Sequence, residues 1–275
     1  MLARTMSATP RIFGIVNATA DSFSDGGKYL APEAAIAHAR ALSAAGAFAI
    51  DLGAAASNPD AAAVPPELEI ARLTPIVEAL RGLVPLSIDT FAIETQRWAL
   101  AQRVEWINDI QGFPDPALYP ELAQSNAGLI VMHNVAPKGR AERIATDPAT
   151  IFDRLFRFFD GRIAALENAG IARARIVIDP GMGFFLGTDP EVSLTVLRNL
   201  SELKRRYRLP LLISLSRKSF IRKLAHVEIA ESGPATLAAE LFAAAEGADF
   251  IRTHDVAALS RALAVWKALN SAKIR

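Results

Sequence analysis

Three consecutive segments decide the fold: F-A-I-D-L-G at residues 48–53, E-L-E-I-A-R-L-T-P-I-V-E-A-L at residues 67–80, and L-S-I-D at residues 86–89. The first and third are nearly continuous apolar runs of strand length, which is the pattern of parallel strands buried on both faces. The second has the amphipathic pattern of a helix, with Pro66 before it and Gly82 after it, as helices often begin and end. The three segments therefore predict a strand, a helix and a second, parallel strand.

The same alternation runs through the whole chain. Apolar runs predict eight strands, at residues 11–17, 48–53, 86–89, 106–109, 129–133, 176–179, 210–215 and 250–254. Amphipathic stretches predict helices at residues 32–45, 67–80, 94–102, 151–169, 190–207, 236–245 and 256–269. The longest stretch without a predicted element, residues 134–147, is expected to be a solvated loop.

This pattern favours an α/β fold, a (β/α)8 TIM barrel in a single domain. Dividing 275 residues by eight gives about 34 per unit, which suits one strand and one helix. The alternative is an open doubly wound sheet, but the G-x-G-x-x-G motif that often follows its first strand is missing.

Composition excludes several classes of protein. The chain has 30 Lys and Arg against 29 Asp and Glu, so it lacks the basic excess with which nucleic-acid-binding proteins neutralise phosphates. It contains no cysteine, which excludes disulfides and thiolate nucleophiles. Its apolar runs are far shorter than the roughly 20 residues that cross a bilayer. We expect a cytoplasmic protein with no nucleic-acid or membrane partner, a frayed segment at residues 1–10 and a barrel domain at residues 11–275.

Nearly every predicted strand ends in a polar residue, and functional groups of a (β/α)8 barrel lie at these carboxyl ends. These residues are Asn17, Asp51, Asp89, Asn108 with Asp109, His133, Asp179, Ser216 with Lys218, and Arg252 with His254. Asp89 and Asp179 suit a neutral heterocycle with N–H donors, because a carboxylate accepts two parallel hydrogen bonds. Asn108 offers both a donor and an acceptor. For Asp51 and Asp109 we favour a simpler role, the capping of a helix or turn.

A second group of residues indicates an anion-binding site. S-R-K-S at residues 216–219 should open a helix, whose backbone N–H groups would bind an anion together with Lys218 and a serine hydroxyl. Arg252 and His254 leave the neighbouring eighth strand, and barrels often bind phosphate after strands seven and eight. A solvated basic loop is the alternative, but the adjacency of the two motifs favours a phosphate or pyrophosphate. The long polar first loop, residues 17–27, is expected to be a lid rather than a plain surface loop, since Phe23 lies among its polar residues.

Six motifs occur in order at the strand ends: I-F-G-I-V-N-A-T-A-D-S-F-S-D-G-G (12–27), S-I-D-T (87–90), I-N-D-I (107–110), I-D-P-G-M-G-F (178–184), S-R-K-S-F (216–220) and R-T-H (252–254). On these motifs, which span roughly residues 11–270, the chain resembles the dihydropteroate synthase family of the folate pathway. The resemblance implies a transferase that joins 4-aminobenzoate to 6-hydroxymethyl-7,8-dihydropterin diphosphate, yielding 7,8-dihydropteroate and pyrophosphate. It also implies assistance by Mg2+ and a homodimer.

The resemblance further implies a role for each matching residue. The pterin ring would be held by Ser57, Asp89, Asn108, Asp179 and Lys218. The leaving diphosphate would be bound by Asn17, Arg252 and His254, with Asn17 as the protein ligand of Mg2+. 4-Aminobenzoate would contact Phe23, Phe184, Phe185 and Ser219. The catalytic residues would be Asp25, which lies with Phe23 on the mobile first loop, and Asp179, Lys218, Arg252 and His254.

The chain also departs from the family pattern. Residues 53–59 read G-A-A-A-S-N-P where the family has G-G-E-S-T-R-P, so Asn58 replaces an arginine while Ser57 keeps a hydroxyl. Residues 183–187 read G-F-F-L-G where the family has G-F-G-K. These departures resemble the sulfonamide-insensitive branch. A sulfonamide mimics 4-aminobenzoate but carries a tetrahedral sulfonyl and usually a further ring. We hypothesise that Phe184 or Phe185 admits the planar acid and clashes with the drug; the alternative is that both belong to the core.

Two other functions remain open. A corrinoid-dependent pterin methyltransferase has a similar fold and similar pterin-holding acids, but it has no need for S-R-K-S, R-T-H or the long first loop. A non-catalytic pterin-binding paralogue is favoured by the missing arginine at residue 58. It is opposed by the presence of Asn17, Asp25, Lys218 and Arg252.

Overall fold

The computed structural model describes residues 9–18, 32–137 and 139–271, without the side chain of Ser271. Its strands are Arg11–Asn17 (β1), Ala49–Gly53 (β2), Leu86–Asp89 (β3), Trp106–Asp109 (β4), Gly128–Met132 (β5), Ile176–Asp179 (β6), Leu212–Ser214 (β7) and Phe250–Thr253 (β8). Its helices are Pro32–Ala44 (α1), Pro66–Leu80 (α2), Ile93–Ala101 (α3), Tyr119–Gln124 (α4), Ile151–Asn168 (α5), Pro190–Arg198 (α6), Leu200–Tyr207 (α7), Ser219–Ala225 (α8), Gly233–Ala245 (α9) and Val256–Ser271 (α10). All eight predicted strands are confirmed, within one or two residues at their ends.

The strands form one parallel sheet in the order β6-β5-β4-β3-β2-β1-β8-β7. A single bridge between Ile178 and Leu211 joins its two outer strands, and the Ile178 N–H donates to the Pro210 carbonyl at 3.0 Å. These contacts close the sheet into a single-domain barrel. The (β/α)8 prediction is therefore confirmed, and the open doubly wound sheet is wrong.

One predicted helix is interrupted. The stretch at residues 190–207 forms two helices, α6 and α7, which meet at Asn199. The Asn199 side-chain amide donates to the Thr195 carbonyl at 2.8 Å. Asparagine side chains compete in this way with the regular backbone hydrogen bonds of a helix. The short helix α4 also went unpredicted.

The amino-terminal end of the barrel is filled by aromatic rings. Phe13, Phe48, Trp106 and Phe250 form one cluster, with ring centroids between 5.4 and 6.1 Å apart. A larger apolar core lies between the strands and the surrounding helices. The barrel interior is therefore apolar at this end, and the polar residues predicted for the site lie at the opposite, carboxyl end.

Some expectations concern residues that the structure does not describe. The frayed segment was predicted for residues 1–10, of which residues 1–8 lie outside the described ranges. Within the described ranges, no helix combines the length and the apolar character needed to cross a membrane.

Candidate active site

A cavity of about 530 Å³ opens at the carboxyl ends of the strands. Nine of the residues predicted for the site line it: Asn17, Ser57, Asp89, Phe184, Phe185, Lys218, Ser219, Arg252 and His254. Asn108 and Asp179 are buried, each 2% exposed, and are not among the lining residues. Phe23 and Asp25 lie in residues 19–31, outside the described part of the chain.

Arg252 occupies the centre of this end of the barrel. Its Nε donates to Asp51, and its Nη2 donates to Asp89 Oδ2 at 2.5 Å. The Asp51 side chain is fully buried, and those of Arg252 and Asp89 are each 16% exposed. Burial raises the pKa of the Asp89 carboxyl, and the neighbouring Arg252 counteracts part of that rise.

The predicted capping role of Asp51 is wrong. Asp51 accepts from Arg252 and from Asn108 Nδ2, the latter at 3.3 Å, because its side chain points into the barrel while Ile50 and Leu52 pack in the surrounding core. Sequence reasoning therefore missed a residue of the site. The signal was a carboxylate within an otherwise buried strand, which needs a partner.

The predicted capping role of Asp109 is confirmed. Its carboxylate accepts from the backbone N–H groups of Gln111 and Phe113, each at 2.8 Å, and from Gln96 Nε2 at 2.9 Å. Asp109 thus fixes the turn after β4.

Asp179 and Asn108 provide polar groups beneath the cavity. Asp179 Oδ1 accepts from the Gly181 N–H at 2.8 Å, and Gly181 has a positive φ of 71°. A Cβ at residue 181 would lie 2.5 Å from the His133 carbonyl oxygen, so this turn requires glycine. Burial raises the pKa of Asp179. Among the described residues, Asn108 Oδ1 is buried without a hydrogen-bond partner, so it can accept from a ligand.

Lys218 brings a cation to the same place. Its Nζ lies 4.8 Å from the centroid of the Phe185 ring, within the range of a cation–π contact. Burial lowers the pKa of Lys218, Arg252 lowers it further, and Asp179 and Asp89 oppose the change. The site therefore combines buried acids and buried cations, an arrangement frequent at catalytic centres.

A second corner of the cavity joins β1, β7 and β8. Asn17 Nδ2 lies 3.4 Å from His254 Nε2, and Ser216 Oγ lies 2.8 Å from His254 Nδ1. The structure thus brings together two of the residues predicted to bind the diphosphate, and Arg252 from β8 lines the same cavity.

The donor set at this corner fits a magnesium ion that is held chiefly by phosphate. Among the residues described, no three His, Cys, Asp or Glu side chains are grouped as metal ligands. Mg2+ commonly keeps several waters and binds one or two protein groups together with substrate phosphates. The Asn17 amide is of the right chemistry for one such ligand.

The phenylalanines after β6 differ in their surroundings. Phe185 is 6% exposed and packs with Ile110, Met132 and Ala141. Phe184 is half-buried at the cavity wall, with the Arg143 guanidinium carbon 5.7 Å from its ring centroid.

The loop at residues 134–147 is not simply solvated, contrary to expectation. Ala141 is buried, and its N–H donates to the Ser57 carbonyl at 3.0 Å. Arg143 forms two hydrogen bonds with Asp60, at 2.9 and 2.5 Å. Arg143 and Asp60 are 83 residues apart in the chain, so the local sequence pattern does not predict their contact.

Asn58 replaces the arginine of the family pattern. Its side-chain oxygen accepts from the Asp60 N–H at 3.0 Å and so stabilises a turn.

Comparison with known proteins identifies the family. Residues 13–254 match the family described as pterin binding enzyme. The chain is 56% identical over 266 residues to dihydropteroate synthase type-2 from Escherichia coli, covering 96% of this chain and 98% of that protein. It belongs to the dihydropteroate synthase family.

Solved structures of the family agree. A Xanthomonas albilineans dihydropteroate synthase with 4-aminobenzoic acid has a TM-score of 0.86 and 38% identity, covering 96% of this chain and 94% of that one. The same enzyme in complex with 7,8-dihydropteroate has a TM-score of 0.83 and 38% identity, covering 98% of this chain and 96% of that one. Membership confirms the resemblance and the transferase class, and it displaces the pterin methyltransferase alternative. The roles of individual residues stay predictions.

Proposed function

We propose that this member of the dihydropteroate synthase family joins 4-aminobenzoate to 6-hydroxymethyl-7,8-dihydropterin diphosphate. The observation that carries the proposal is that Asp89, Arg252 and Lys218 line one cavity, at the end of the barrel where Asn108 and Asp179 are buried. A neutral pterin ring presents N–H donors and ring acceptors that match the acids and the amide. The negative charge of its diphosphate is matched by the cationic side chains of Arg252 and Lys218.

The chemistry needs no protein nucleophile. The bond between the pterin methylene carbon and the diphosphate oxygen breaks, and both electrons leave with pyrophosphate. The amino nitrogen of 4-aminobenzoate forms the new bond to that carbon and releases its proton to solvent. Arg252, His254 and Lys218 stabilise the charge that develops on pyrophosphate, and Asp179 stabilises the electron-poor methylene through the pterin ring.

Mg2+ fits this proposal as a group bound with the diphosphate. When bound there, it supplies additional positive charge to the leaving group. Asn17 would hold the Mg2+ ion. His254, whose Nε2 lies 3.4 Å from Asn17 Nδ2, would orient the Asn17 side chain or contact a phosphate oxygen.

The deciding assay measures pyrophosphate released from the pterin diphosphate, with and without 4-aminobenzoate. Release that requires 4-aminobenzoate and yields dihydropteroate supports the proposal. Equal release without it would indicate a hydrolase, and binding of the pterin diphosphate with no release would indicate the non-catalytic pterin-binding paralogue. Either of these results overturns the proposal.

We also propose reduced sensitivity to sulfonamides, with Phe184 as the discriminating residue. Both phenylalanines line the cavity, but Phe184 is half-buried and the more exposed of the two, whereas Phe185 is 6% exposed and packs beside Lys218. The further ring of a sulfonamide extends outward from the position of the acid, so the outer phenylalanine is the one placed to oppose it.

The homodimer stays a prediction from the family resemblance, and the cytoplasmic location stays a prediction from the composition and the short apolar runs. Light scattering on the purified protein would test the first, and cell fractionation would test the second.

A further inference from the structure

Arg222 is a basic residue of the cavity that the motifs do not include. It lies on α8 three positions after Ser219, and both residues line the cavity. Side chains three residues apart are neighbours on a helix surface. Arg222 and Ser219 therefore form one continuous polar wall.

Within the described part of the chain, the Arg222 guanidinium has only a distant partner for its charge and none for its Nε–H group. Its Nε is buried without a hydrogen-bond partner, and the side chain is 27% exposed. Its ion-pair partner is Glu228, which is 89% exposed and 3.8 Å away. Such an exposed, long contact contributes little, whereas a buried N–H without a partner is costly.

Two other arginines on or beside this cavity, Arg252 and Arg143, have close acidic partners. Arg252 is held by Asp51 and Asp89, and Arg143 by Asp60. Arg222 differs from these two arginines because its N–H donors are available to bind an incoming anion.

We propose that Arg222 adds a second contact to the carboxylate of 4-aminobenzoate, beside the one that the resemblance implies for Ser219, and selects this acid over neutral anilines. The proposal rests on the proposed function. The family resemblance implies that 4-aminobenzoate contacts Ser219, and Arg222 lines the same cavity on the same helix. That substrate has an apolar ring and one carboxylate. The guanidinium fork matches a carboxylate with two parallel N–H donors.

The test compares Arg222→Gln with Lys223→Gln, which removes the same charge from the next residue, exposed and away from the cavity. In each variant we would measure KM for 4-aminobenzoate, KM for the pterin diphosphate and the inhibition constant of 4-aminobenzamide, a neutral analogue. Arg222→Gln should raise KM for 4-aminobenzoate about tenfold or more, as for a hydrogen bond to a charged group. The other two constants should change less than about twofold, and Lys223→Gln should change none. Arg222→Lys should recover part of the loss.

Two results would overturn the proposal. One is an unchanged KM for 4-aminobenzoate in Arg222→Gln. The other is equal weakening of the acid and the amide, since a residue that merely shapes the wall would affect both alike. The proposed function would fail differently, because the unmodified enzyme would then form no dihydropteroate.

Discussion

Arg252 and Asp51 form an ion pair inside the barrel, across 201 positions of the chain. The Asp51 carboxylate also accepts from Asn108 at 3.3 Å. A residue that we expected to cap a turn therefore positions two residues predicted to bind substrate.

We expect Asp51→Asn to destabilise the protein and to impair binding of the pterin diphosphate. The substitution leaves the Arg252 charge without its most buried partner. Removing one partner of a buried pair costs about 3–5 kcal/mol. Urea unfolding would measure the loss of stability, and steady-state kinetics would show a higher KM for the pterin diphosphate.

Asp109→Asn is the matched control, because Asp109 is equally buried and likewise belongs to a strand of the barrel. It fixes a turn through Gln111 and Phe113, so its substitution should lower stability without raising KM for the pterin diphosphate. If the two variants lost stability alike and neither changed that KM, Asp51 would be a structural residue without a positioning role.

The fold could be predicted because its signals are local. Each buried parallel strand is a short apolar run, as in residues 86–89 and 106–109, where the predicted and observed bounds agree. The pairing of Asp51 with Arg252 depends instead on β1 lying between β2 and β8. A carboxylate in or at the end of an apolar strand looks the same in sequence whether it caps a turn, as Asp109 does, or pairs with a cation, as Asp51 does.

Other features escaped prediction for the same reason. The packing of residues 134–147 relies on Ser57 and Asp60, which lie on a distant loop. Arg222 lies outside the quoted family motifs, and its position on the cavity wall follows from the placement of α8.

Lys218→Ala should reduce turnover strongly. Lys218 is the cation predicted both to hold the pterin and to stabilise the leaving pyrophosphate, and removing one such group commonly costs about a hundredfold in kcat. Pyrophosphate release under saturating substrates would measure the effect. Lys223→Ala, at an exposed position five residues further on, should retain the original rate. A Lys218→Ala variant that also retained it would refute the assigned role.

Glu240 on α9 should make stability depend on pH. It is 2% exposed, its Oε1 lacks a partner among the described residues, and burial raises its pKa to about 8. Because the folded state favours the neutral carboxyl, this contribution is fully present below about pH 4.5 and is lost as pH rises towards 8. Between pH 5 and 7.5 the unmodified protein should lose about 3 kcal/mol through this group, and Glu240→Gln should not.

Urea unfolding at several pH values would test this prediction. Glu202→Gln is the control, since Glu202 is exposed and Arg205 lowers its pKa, which gives the opposite sign. Parallel stability curves for Glu240→Gln and the unmodified protein would contradict the prediction.

Phe184→Gly should make the enzyme more sensitive to sulfamethoxazole. Removing the ring at the cavity wall opens space for the sulfonyl and the further ring of the drug, while the planar acid still fits. We expect the inhibition constant to fall about tenfold or more, with KM for 4-aminobenzoate changed less than about threefold.

Phe185→Gly is the comparison. It removes a ring that packs on Ile110 and Met132, so it should lower the free energy of unfolding by about 3–5 kcal/mol. Because the same ring lies against Lys218, that variant should also weaken pterin binding. Unchanged inhibition in Phe184→Gly would remove Phe184 from the account, and increased sensitivity confined to Phe185→Gly would assign the discrimination to the inner ring.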